Sequence, residues 1–179
     1  NAQEMALRLS APSPAHPFGC DDFGRDLLAR VIVGARVSLG VGIAVTLATS
    51  VLGLVIGAYA CYNEKLDHIL MRICDGFMSI PGVLLAIALM AMMVASVWNV
   101  IIALSIVYTP SMARIVRSRA MVVKEEPFVE ALRVQGASTA RIVWLHIVPN
   151  VMAPFLVQAT FVFAEAVLSE AALSFLGLG

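Results

Sequence analysis

Apolar and polar positions divide the chain into long uncharged runs joined by shorter polar ones. From Val37 to Asn63 no charged residue occurs, and a helix needs only about 20 apolar residues to cross roughly 30 Å of hydrocarbon. The pattern predicts a first span over 38–62. Between Gly76 and Ala113 the chain is again free of charge. As one helix, at about 1.5 Å per residue, that run would reach about 57 Å, too long for a single crossing. Two spans fit instead, over 79–96 and 100–118, turning near Ser96–Asn99 with Trp98 as an interfacial anchor. A fourth apolar stretch runs from Val151 to Leu178 and predicts a span over 151–176, interrupted by Glu165 and Glu170. Residues 1–36 form a polar segment leading into the first span.

The longest polar connection, 114–150, is itself punctuated like folded chain. Pro127 suits the first turn of a helix, where its missing N–H costs nothing. Glu125 and Glu126 before it complement the positive end of the helix dipole. PFVEALRVQG then reads as a short helix with Phe128, Ala131, Leu132 and Gln135 near one face, stopped by a left-handed Gly136. Ser138 can cap a second short helix, TARIVWLHIVP, ending near Pro149. Two short helices joined at a glycine make a rigid projection, and rigidity there suggests a docking element for another protein.

Composition places these runs in a membrane. Of the 179 residues 60% are hydrophobic and 13% charged, the mean hydropathy is +0.91, and twelve basic residues cancel twelve acidic ones. A soluble domain normally carries about 25% charged residues, and disorder requires low hydrophobicity with high charge. The neutral balance argues against a nucleic-acid binder. Cys20, Cys61 and Cys74 follow neither a redox nor a zinc spacing. Four spans put both ends of the chain on one side. The regions 63–76 and 114–150 then hold eight Lys and Arg, against four in the amino-terminal segment, where Glu4, Asp21, Asp22 and Asp26 balance them. The positive-inside rule makes the two loops cytoplasmic and residues 1–36 periplasmic.

The spacing of Glu130-Ala131, Gly136 six residues after the glutamate and Pro149 nineteen after it resembles the EAA loop of ABC importer permeases. HPFGCDDFGRDLLARVIVGARVSL (16–39), LMRICDGFMSIPGVLLAI (70–87), GASTARIVWLHIVPN (136–150) and SEAALSFLGLG (169–179) resemble the dipeptide/oligopeptide branch of that family. The resemblance covers most of the chain. It implies an all-α integral membrane protein, the type I ABC importer transmembrane domain, with four of six spans present. A further span is expected before Asn1 and another after Gly179, so the chain is expected to be a fragment. The resemblance also implies that Pro127, Phe128, Val129, Glu130, Ala131, Leu132, Arg133, Gly136, Ala137 and Ser138 form the coupling element docking onto an ATPase subunit. The implied partners are ABC ATPase subunits, a second, homologous permease, a periplasmic solute-binding protein and membrane lipid; the implied location is a bacterial inner membrane. The cargo would be peptides or related small solutes. The chain departs from the general EAA pattern at Leu132, His146 and Val148. Of these, His146 belongs to a His-x-x-Pro-Asn ending typical of the peptide branch. Cys20 stands where many relatives have Thr, which leaves a free thiol on the periplasmic side.

Other chemistry finds no motif. Without GxxxxGK[ST] the chain cannot cradle nucleotide phosphates, so it is not expected to be an enzyme or to bind a cofactor; ATP and Mg would belong to the partner. HExxH and GxSxG are absent, and the three histidines follow no metal-ligand pattern. Glu165 and Glu170 are costly in a bilayer, roughly 2.5–3.5 kcal/mol for a central acidic residue. They read either as pathway-lining carboxylates or as structural ones, about 140° apart around a helix. Gly53 and Gly57 allow close helix approach, within the chain or between subunits. Arg114, Arg117 and Arg119 read as lipid-headgroup anchors, and Asp75 as a local ion pair or cap. A passive channel or structural membrane protein without an ATPase partner is the competing reading.

Overall fold

The computed structural model describes residues 7–177, so Glu4 and the final Leu178 and Gly179 lie outside the described residues. Seven α-helices follow one another: α1 (Leu27–Ala60), α2 (Glu64–Met78), α3 (Gly82–Ala91), α4 (Val97–Lys124), α5 (Pro127–Val134), α6 (Thr139–Ile142) and α7 (Val148–Phe175). A π-helical turn, Val143–Ile147, joins α6 to α7. Among the described residues, strand-like pairing is limited to one isolated bridge, Cys20 with Asp26. The chain divides into two compact units, 1–40 and 41–179, with the division inside α1.

The first unit is a loop folded around Asp21, followed by the start of α1. The Asp21 carboxylate accepts from the backbone N–H of Phe23 at 2.8 Å and of Arg25 at 2.9 Å, and Arg30 donates to it at 2.7 Å. The Arg25 and Phe23 amides hold that carboxyl below the usual carboxylate range. Asp26 caps α1 by accepting from Leu28 N–H at 2.9 Å, and its other oxygen lies 3.5 Å from His16 Nδ1. Gly19, at φ +72°, cannot be replaced: a Cβ there would lie 2.4 Å from the Ser10 carbonyl oxygen. The HPFGCDDFGRD block is thus a self-capping loop, and the free thiol of Cys20 within it is buried.

The second unit is built on α4. Its Ala103, Leu104, Met112, Ala113, Val116 and Ala120 are fully enclosed, and α7 makes its most extensive packing against it. Helices in lipid gain little from hydrophobicity alone and associate where small residues let backbones approach. Gly53 and Gly57 serve this purpose within the chain, since a Cβ on Gly53 would meet Met112 at 2.4 Å and one on Gly57 the Ala113 carbonyl at 2.6 Å. Gly42 lies against Phe163 and Val167 of α7 in the same way.

Among the described residues three helical segments are long and apolar enough to cross a membrane: Leu27–Ala60, Val97–Lys124 and Thr139–Phe175. The structure departs from the expected spans: α1 begins at Leu27, inside the segment read as polar and well before residue 38. The expected span 79–96 contains only α3, ten residues long, which covers about 15 Å of a roughly 30 Å core. Pro81 cannot continue α2, and α3 leaves it at 88°, so the pair counts as a span only if taken together as one broken helix. The chain turns at Met92–Ser96, before Trp98, which already lies in α4. Helix α4 also runs past the expected end at 118 to Lys124, shortening the polar connection.

A further difference lies at Pro149. TARIVWLHIVP does not end as a separate short helix, because the chain continues through the π-helical turn into α7 as one segment, Thr139–Phe175. Proline has no N–H to donate and its ring crowds the carbonyl four residues back. Widening the preceding turn to π geometry accommodates both, and Asn150 Nδ2 donates to the His146 carbonyl at 2.7 Å.

Candidate functional site

The expected docking element is centred on α5, and its local chemistry explains its shape. Glu126 is the N-cap, Pro127 occupies the first turn, and Gly136 adopts φ +78° after the last turn. Gly136 N–H donates to Arg133 O at 3.0 Å and Ala137 N–H to Leu132 O at 3.0 Å. This paired arrangement is the Schellman stop, with Leu132 and Ala137 both packed against the hydrophobic core. Ser138 then caps the next helix through its hydroxyl, which accepts from Arg141 N–H at 3.4 Å.

The orientation of α5 differs from the face read from sequence. Val129 is completely buried, with Leu132 and Ala137 half-buried beside it. Phe128, Ala131 and Gln135, grouped with Leu132 from spacing, are exposed. Pro127, Glu130, Arg133, Gly136 and Ser138 are exposed as well. Val129 is therefore the anchor of the element and cannot touch a partner. The outward surface carries Phe128, Glu130, Ala131 and Val134, the last 85% exposed. An exposed apolar pair flanking a carboxylate suits insertion into a groove on another protein.

Residues that sequence reasoning missed hold this element in place. Tyr62, just past the end of α1, accepts a hydrogen bond from Arg133 at 3.3 Å, with the guanidinium 5.4 Å from its ring centre. Lys124 lies 5.2 Å from the same ring and donates to the Cys61 carbonyl at 2.7 Å. Trp144 Nε1 donates to the Tyr59 hydroxyl at 3.2 Å, the two rings meeting edge to face. The signal available was the pair Tyr59 and Tyr62 at helical spacing, where the first apolar run ends.

Arg114 and Arg117, read from sequence as headgroup anchors, are each paired with a carboxylate of α2. Arg114 pairs with Asp75 and Arg117 makes a two-pronged pair with Asp67, tying α2 to α4. The Arg117 guanidinium holds the Asp67 carboxyl below the usual carboxylate range. Arg119 instead borders an open groove of about 610 Å³ between α4 and α7, walled by Ile115, Val157 and Phe161.

The two carboxylates of α7 are not brought together. Glu165 is exposed, whereas Glu170 is 5% exposed with one carboxylate oxygen unpartnered. Beside them Tyr108 of α4 pairs with Ser169 at 2.7 Å and donates to the Glu165 backbone carbonyl at 3.3 Å. A buried polar seam thus joins α4 to α7.

Residues 31–179 match the family described as the binding-protein-dependent transport system inner membrane component. The chain is 48% identical over its whole length to a protein of Brucella suis named as a peptide transport system permease. It is 44% identical over 96% of its length to the dipeptide transport system permease protein DppC of Alkalihalophilus pseudofirmus. It is 41% identical over 95% to the glutathione transport system permease protein GsiD of Escherichia coli. It spans 60%, 57% and 56% of those relatives' lengths. With an all-helical architecture containing several membrane-length helices and a family match over most of its residues, the chain belongs to the binding-protein-dependent transport system inner membrane components, the membrane domain of type I ABC importers.

Proposed function

We propose that the protein is a permease subunit of an ATP-driven importer of peptides or related small solutes in a bacterial inner membrane. The observation that carries this reading is α5: a short helix fixed by Val129 and a Schellman stop, presenting Phe128, Glu130 and Val134 outward. A passive channel has no need for such an element. In this reading α5 and the residues to Ser138 dock on an ABC ATPase subunit. ATP-driven closure of the ATPase pair shifts α5, and the attached helices exchange inward-facing and outward-facing arrangements. The chain binds no cofactor of its own; ATP and Mg act on the partner. A second homologous permease completes the pathway, and a periplasmic solute-binding protein delivers cargo. The names of the relatives, with peptide, dipeptide and glutathione cargoes, support the solute class. Loops 63–76 and 114–150 face the cytoplasm and residues 1–36 the periplasm, in accord with the basic excess of the loops. Glu130 and Glu170 take different places: the first is exposed and docks, and the second is buried within the fold and is not part of the docking surface.

The test uses the full-length protein co-expressed with its ATPase and partner permease. Glu130→Lys is expected to insert normally, lose co-purifying ATPase and abolish uptake. Normal uptake with normal ATPase association would refute the docking role, and absence of any stoichiometric ATPase partner for the wild type would favour the passive channel.

A further inference from the structure

Helix α5 is joined by peptide bonds to α4 on one side and to α6 and α7 on the other, so chain connectivity gives it no link to α1. Side chains supply one. Tyr59 and Tyr62 stand three residues apart at the end of α1, so the turn that closes the helix, with Tyr62 N–H on the Tyr59 carbonyl at 3.1 Å, presents both to the α5 region. Tyr62 meets Arg133 of α5 through its hydroxyl at 3.3 Å and through its ring face. Tyr59 meets Trp144, in the π-helical turn beyond α5, through its hydroxyl at 3.2 Å. One contact therefore lies on each flank of the exposed docking surface.

Lys124 closes the arrangement from α4. Its ammonium donates to the Cys61 carbonyl at 2.7 Å, satisfying an acceptor beyond the last turn of α1, and shares the Tyr62 ring with Arg133. Each of the two cations lies within reach of the Tyr62 ring, whose electron-rich face attracts positive charge. Arg133 is exposed and Tyr62 only half-buried, so these contacts contribute little to the core. What they do is fix the relative position of three helix ends.

We propose that Tyr59 and Tyr62 are positioning residues that clasp the docking helix to the end of α1 from both flanks. Displacement of α5 is thereby passed to α1 directly as well as along the chain to α4 and α7. This rests on the docking role of α5. It adds that α1 takes part in coupling through named contacts, and that the strength of those contacts sets how efficiently ATP hydrolysis is converted into transport.

The experiment measures solute transported per ATP hydrolysed by the reconstituted full transporter. Tyr62→Leu is expected to lower this ratio about two- to fivefold, the factor that loss of an exposed cation–π contact represents, with ATPase binding and melting temperature unchanged. Tyr62→Phe, which keeps the ring face, is expected to restore most of it. Arg133→Gln, which also alters the docking element itself, is expected to lower the ratio at least as far as Tyr62→Leu, and the double variant to be no worse than Arg133→Gln alone. A wild-type ratio in Tyr62→Leu, or losses that multiply in the double variant, would overturn the clasp. If Tyr62→Leu fails to assemble, Arg133→Gln is compared with Arg133→Lys, which keeps a cation for the ring, and equal ratios in the two would overturn the clasp. Failure of the docking reading itself gives a different result: no ATPase retained by the wild-type complex.

Discussion

A methyl group at Gly57 would lie 2.6 Å from the Ala113 carbonyl oxygen and 2.9 Å from the Arg117 backbone nitrogen, whereas one at Gly76 would meet nothing within 4 Å. Backbone cannot yield as a flexible side chain can. Gly57→Ala is therefore expected to lower the melting temperature in detergent, by about 1–3 kcal/mol if the overpacking cost of soluble cores applies. Gly76→Ala is expected to leave stability unchanged or raise it by up to about 1 kcal/mol, as alanine does inside a helix. Both glycines are visible in the sequence, but only Gly57, four residues from Gly53, carried a readable reason for being small. Glu170 makes a similar point. Its burial with an unpartnered oxygen means that an apolar replacement of similar length removes a desolvation cost. Glu170→Met is expected to melt at or above the wild-type temperature; a fall of several degrees would show that the carboxylate makes a contact essential to the fold.

At the scale of elements, what could be read was the chemistry acting within a few residues. Pro127, Gly136 and Ser138 announced the start of α5, its end and the next cap, because each acts on backbone groups close in sequence. Gly136→Val, forced into φ +78°, is expected to destabilise the element by about 1–3 kcal/mol, visible as faster local amide hydrogen exchange over 127–138. What could not be read were pairings across long separations. Asp67 finds Arg117 fifty residues away, Asp75 finds Arg114, and Tyr62 finds Arg133. The same distance hid the role of Val129, since only the position of α5 against the rest of the unit decides which apolar side chain turns inward. The Asp67 pair makes stability pH-dependent. Its carboxyl titrates below its unfolded value, so its contribution is fully present above the unfolded pKa, near 3.8 for the reference group. That contribution is lost as pH falls through the lower folded value. Asp67→Asn is expected to lower the melting temperature at neutral pH and to flatten its decline in acid; an unchanged acid profile would assign the decline to other groups.

At the scale of the molecule, long charge-free runs revealed the membrane class and pointed to three helices long and apolar enough to cross, because burial in lipid leaves its mark on every residue of a span. They did not reveal that α2 and α3 meet at 88°, since a bent pair and a straight span share the same composition. Nor did they reveal the passage of the chain through Pro149, where a π-helical turn absorbs what normally stops a helix. The central claim is that the outward face of α5 docks on the ATPase. The most direct test places a photo-reactive side chain at Val134, which is 85% exposed, and at Val129, which is fully buried, in the full-length transporter in native membranes. The expected result is capture of the ATPase subunit from position 134 and none from position 129. No capture from 134, in membranes where uptake is intact, would contradict the account.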